Sequence, residues 1–99
     1  MSIELRVQER LADGDFSGAA NEAIRSLGPK VVGYLRTMFR NEDDVADAFG
    51  QWAENLWKGL GTFQGRASFR TWAFRLAWNA ALNMHGQAHR KRERQLLSE

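Results

Sequence analysis

Ninety-nine residues, 43% hydrophobic and 26% charged, fit one soluble globular domain, large enough for a single core and too small for two. No apolar run approaches the roughly 20 residues of a membrane-spanning helix, MSIELRVQER has no export-signal character, and the absence of cysteine excludes disulfides and thiolate metal sites; a cytoplasmic chain without membrane contact is expected. The net charge of +2 hides an asymmetry: residues 1–54 carry six basic and ten acidic side chains, residues 55–99 eight basic and two acidic, so the C-terminal half is the one suited to a polyanion.

Apolar residues recur at helical spacing almost throughout, and no alternating run is long enough for a strand. The expected fold is all-α, a compact bundle of four to five helices in a single domain over 1–99. Ile3, Val7 and Leu11 mark a first short helix that Gly14 ends, with Asp15 or Ser17 as the next cap. Phe16, Ala20, Ala23, Ile24 and Leu27 stripe a second. Gly28-Pro29 reads as an exit followed by a new start, and Val31, Val32, Leu35, Met38 and Phe39 give the third helix its apolar face.

Asn41 is a good cap for a fourth helix, and Glu42, Asp43 and Asp44 put negative charge where the macrodipole favours it. At about 100° per residue this helix carries two stripes. Val45, Phe49, Trp52, Leu56 and Leu60 form a core face. Asp44, Asp47, Gln51, Glu54 and Lys58 lie opposite, either as a solvated side or as a surface for a basic protein. Gly59 and Gly61 end the helix.

A basic loop follows, and Ser68 can cap a fifth helix starting at Phe69. One side of that helix shows Phe69, Trp72, Leu76 and Ala80; nearly the other shows Phe74, Trp78 and Leu82. A helix apolar on two sides is either central in a bundle or reserves one side for a partner. From Phe63 to Arg94 the chain crowds arginines and flat rings together, the two residue classes that single-stranded nucleic acid requires. The run HRKRER over 89–94 adds charge, and residues 87–99 read as a basic helix end or the start of an interdomain linker.

Catalysis finds no support. No cysteine nucleophile, phosphate-cradling G-x-x-x-x-G-K-[ST] or dinucleotide turn is present, and caps or loops account for Ser17, Ser26, Ser68 and Ser98. His85 and His89 stand at ligand spacing, yet no third ligand accompanies them and a basic run follows, so no metal or other cofactor is expected.

Three stretches in order resemble region 2 of an extracytoplasmic-function (ECF, group IV) sigma factor, the promoter-recognising subunit of bacterial RNA polymerase. They are LADGDFSGAANEAI with Gly28-Pro29, Val31 and Tyr34; DDVADAFGQWAENLWKGLGTF; and RASFRTWAFRLAWNAALN, together about residues 11–92. The resemblance implies a non-enzymatic, monomeric domain that binds the polymerase core and promoter DNA, with an anti-sigma factor as a further partner. Core binding, to the clamp helices of the largest subunit, would fall on Asp44, Asp47, Gln51, Glu54 and Asn55. The loop from Gln64 to Arg70 would accept a base flipped from the non-template strand of the minus-ten element. DNA contacts would fall on Arg66, Ala67, Ser68, Phe69, Arg70, Arg75, Trp78, Asn79 and Asn83, with Arg90 and Lys91 adding charge.

Three positions depart from the family pattern. Gly50-Gln51 stands where Gln-Glu is usual, Trp78 replaces a frequent basic residue, and Asn83 replaces an aspartate. Sigma factors of this class also carry a second helical domain, region 4, which these residues do not supply. The competing readings are a stand-alone helical regulator of duplex DNA and a protein-interaction module using the two-sided apolar helix.

Overall fold

The computed structural model describes residues 3–97, with side chains described for residues 3–86. Four helices make up the domain: α1 (Ile3–Ala12), α2 (Phe16–Arg36), α3 (Glu42–Gly59) and α4 (Phe69–Leu97), with a single 3-10 turn at Leu60–Thr62. No strand occurs among the described residues. Consecutive pairs α1–α2, α2–α3 and α3–α4 pack together, and both α1 and α2 also touch α4.

The first turn follows from glycine. Gly14, at φ +74°, donates to the Leu11 carbonyl at 3.0 Å while Asp15 donates to Arg10 at 2.8 Å, the paired reverse bonds of a Schellman ending. Asp15 then caps α2: its carboxylate accepts from the Gly18 amide and from the Arg10 guanidinium, both at 2.9 Å. The Gly18 amide chiefly, and Arg10 after it, hold this carboxyl below its ordinary range. A depressed folded-state pKa stabilises the fold above the unfolded value of about 3.9, and that contribution disappears as pH falls through the folded value. Asp15→Ala is therefore expected to lower the melting temperature at pH 7, with the gap to wild type closing in acid; thermal melts from pH 7 to pH 2.5 check this.

The break expected at Gly28-Pro29 does not exist. Helix α2 runs through Pro29, which sits exposed inside it. An interior proline costs about 3 kcal/mol through its missing N–H and its clash with the preceding turn. Ala20, Ala23, Leu27, Val31 and Leu35, however, form one unbroken buried stripe across it. Burying each of the larger members stabilises by about 1.5–3 kcal/mol, so the stripe outweighs the local penalty. The helix also stops earlier than the apolar pattern suggests: Thr37 and Met38 turn, and Met38 and Phe39 pack beside the core from outside the helix.

On α3, Asn41 accepts from the Asp43 amide at 2.7 Å as N-cap, and Val45, Ala48, Trp52 and Leu56 are buried. Leu60 is buried too, though from the 3-10 turn, and Phe49 is half-buried. Trp52 lies at the centre, its indole N–H donating 2.9 Å to the Ala73 carbonyl of α4. That large ring dictates the helix opposite. The inner face of α4 is Phe69, Ala73, Ala77, Ala80 and Ala81, each at most 1% exposed, and the indole meets it at the small side chain of Ala73. Trp72 and Leu76, expected on the core side, are half-buried on its flank.

Candidate nucleic-acid interface

Between α3 and α4 the chain must cross from one buried stripe to the next, and aromatic rings anchor the crossing. Phe63 meets Phe69 edge-on at 5.5 Å between centroids and Trp72 at 5.1 Å; Phe69 and Trp72 lie 5.4 Å apart. Gly59 passes close behind: a Cβ there would stand 3.0 Å from Trp72 Cζ2. Beyond Phe63 the loop turns at Gly65, φ +72°, which favours glycine. Ser68 then caps α4 by accepting from the Thr71 amide at 3.1 Å.

This arrangement opens two grooves. One, of about 170 Å³, lies under the loop and is lined by Thr62, Phe63, Gln64, Arg66, Ala67, Trp72 and Arg75. The other, about 430 Å³ and mostly apolar, runs along the outer face of α4 between Arg70, Thr71, Phe74, Arg75 and Trp78. Arg75 borders both. Phe74 is held edge-on by Tyr34 at 5.9 Å, whereas Trp78 is 47% exposed. Arg75, Asn79 and Asn83 follow at i, i+4 and i+8 along one exposed line. Arg66, Arg70 and Arg75 are exposed and make no ion pair with any described residue.

Most of the DNA-contact residues expected from sequence thus share one side of the domain. Arg66, Ala67, Ser68 and Arg70 lie on the loop and the helix start; Arg75, Trp78, Asn79 and Asn83 follow on α4. Phe69 is the exception. Its side chain is 1% exposed inside the aromatic cluster, so it supports the loop from beneath and has no face free for a base. Arg90 and Lys91 lie outside the residues whose side chains are described, as does His89. His85 stacks on Phe39 at 4.6 Å and 14°.

A second surface is acidic. Asp44, Asp47 and Glu54 are exposed on α3, with Gln51 and Asn55 half-buried beside them and joined by a 3.0 Å hydrogen bond. Glu54 pairs with Lys58 at 2.6 Å, leaving Asp44 and Asp47 without an ion pair among the described residues.

The residue that sequence reasoning missed is Glu4. Its two carboxylate oxygens accept from the Phe69 amide at 2.7 Å and the Arg70 amide at 3.1 Å. Only the fold brings α1 to the start of α4, and no local pattern signals it.

The domain is thus small and all-helical, with a basic, aromatic groove on one helix and an acidic face on another. The sigma-70 region 2 family matches residues 23–95, and the chain belongs to that family. Over 92 residues it is 29% identical to the ECF RNA polymerase sigma-E factor of Haemophilus influenzae, covering 92% of this chain and 48% of that protein. The chain therefore spans about half the length of the curated relative it matches. No solved structure matches it. No described helix is long and apolar enough to cross a membrane.

Proposed function

We propose that this domain recognises the minus-ten element of bacterial promoters as single-stranded DNA while its acidic face holds it on RNA polymerase. The observation that carries the reading is that Arg75 lines both grooves. An aromatic-floored cleft under the loop adjoins an aromatic track along α4, and arginines with no described ion pair stand at both. An unstacked base enters the cleft under the loop, against the floor that the packed Phe63 and Trp72 rings make, the following base lies against Trp78, and Arg66, Arg70 and Arg75 neutralise phosphates. Extruding a base costs a few kcal/mol, which stacking and backbone contacts offset. Melting in this scheme draws on binding alone, and no catalytic step or cofactor is assigned.

The start of α4 favours this reading over a duplex reader. A recognition helix entering the major groove presents its N-terminal residues to base edges. Here Phe69 is buried and its amide is taken by Glu4. On the other side, Asp44 and Asp47 with Gln51, Glu54 and Asn55 supply the polymerase contact in a cytoplasmic complex, the clamp helices being the partner.

Electrophoretic titration with single-stranded minus-ten oligonucleotides, matched duplexes and a clamp-helix fragment tests both halves. Stronger binding of the single strand is expected, and Asp47→Arg is expected to weaken the clamp complex at least tenfold without lowering the melting temperature. Preference for duplex would overturn the DNA reading; unchanged clamp affinity would return the acidic stripe to a solvated surface.

A further inference from the structure

Hydrogen bonds hold the loop over the cleft only at its ends. Residues 64–67 make no hydrogen bond among the described residues, and Gly65 lies in the left-handed region. At the near end Phe63 is fixed by its rings and by its amide on the Leu60 carbonyl at 3.3 Å. At the far end the fixing comes from α1. Glu4 takes the first two amides of α4, Ser68 takes the third, and the helical ladder begins with Trp72 donating to the Ser68 carbonyl at 3.0 Å.

Free amides at a helix start, reinforced by the macrodipole, form a ready anion site. In this domain a side-chain carboxylate already occupies it. Glu4 also lies in the first turn of α1, so one carboxylate complements two helix N-termini. The bond to Phe69 clamps the residue whose ring supports the loop, and the bond to Arg70 clamps the residue that borders the outer groove.

We propose that Glu4 is a positioning residue for the base-reading loop. Its carboxylate sets where α4 begins, and so the height of residues 64–67 over the cleft, and it keeps DNA phosphate off the helix N-terminus. The proposal rests on the single-strand reading above, and its test separates the two.

The 99-residue chain is used with the single-stranded oligonucleotide that wild type selects from a randomised pool, and with a scrambled control. Glu4→Ala is expected to lower the ratio of selected to scrambled affinity about tenfold, with scrambled affinity equal or raised because the amides are freed for phosphate. Glu4→Gln, retaining one acceptor oxygen, should fall between. Val7→Ala, which opens the α1 core without touching the amides, serves as the stability control and should keep the ratio. Amide exchange at residues 69–71, the bonded amides of the helix start, reads the same geometry without DNA, and should quicken in Glu4→Ala alone.

An unchanged ratio and unchanged exchange in Glu4→Ala, or equal losses in Val7→Ala, would overturn the positioning role. A wild type that selects no single strand would overturn the DNA reading instead, while exchange still decides whether Glu4 sets the start of α4.

Discussion

Trp52→Ala is expected to lower the unfolding free energy by about 3–5 kcal/mol, the range for removing a buried tryptophan, and the melting temperature by roughly 12 °C or more. Domains of this size hold only about 5–15 kcal/mol in total, so the variant should be partly unfolded at 37 °C. Trp52 is fully buried, lies 5.3 Å from the Phe49 ring, and joins α3 to α4 through the Ala73 carbonyl. Ala73, whose carbonyl it meets, and Ala77 one turn on are too short to close the space it leaves. Trp52→Phe keeps part of the ring and loses the indole donor. Because the Ala73 carbonyl lies within the α4 ladder, the cost should fall to about 1–3 kcal/mol. Urea titrations followed by far-ultraviolet circular dichroism separate the two, provided the m value stays constant. A loss under about 1 kcal/mol for Trp52→Ala would mean that α3 and α4 collapse together, and that Trp52 is not the post on which they are spaced.

The same ring shows where sequence reasoning succeeds and where it stops. Trp52 was legible as core because Val45, Trp52, Leu56 and Leu60 share one arc of a helix, and that periodicity belongs to the chain itself. The caps at Asp15, Asn41 and Ser68 were legible for the same reason, since each acts within three residues. Continuity through Pro29 was not, because the local signal opposes it and only the stripe buried against other helices reverses the outcome. Nor could sequence place Phe69 correctly, since an aromatic at a helix start suits a core or a base equally. Its burial depends on Phe63 and Trp72 closing over it. Glu4 lay furthest out of reach: a glutamate in a first turn is explained by its own helix, and its second task lies 65 residues away.

Trp78→Ala is expected to weaken single-strand binding about 5- to 150-fold, the equivalent of the roughly 1–3 kcal/mol lost when one stacking platform is removed. Stability should change by only about 1 kcal/mol, since the residue is 47% exposed. Stacking accepts any base, so the loss should be similar for selected and scrambled strands. Asn79→Ala should differ: a polar side chain that reads a base edge carries sequence information, so its loss should fall mainly on the selected strand. Arg75, bordering both grooves, should show a third pattern, a uniform loss with a salt dependence shallower by about one unit or less. Phe69→Ala, in contrast, should act through stability, because its ring is buried under the loop. Fluorescence anisotropy on both strands across a salt series, with a melt for each variant, resolves all four. Were Trp78→Ala to leave both affinities intact, the base track would end at the cleft under the loop. The apolar groove from Arg70 to Trp78 would then face a protein, and the tryptophan that replaces a basic residue of the family would mark the loss of a phosphate contact with no stacking gained.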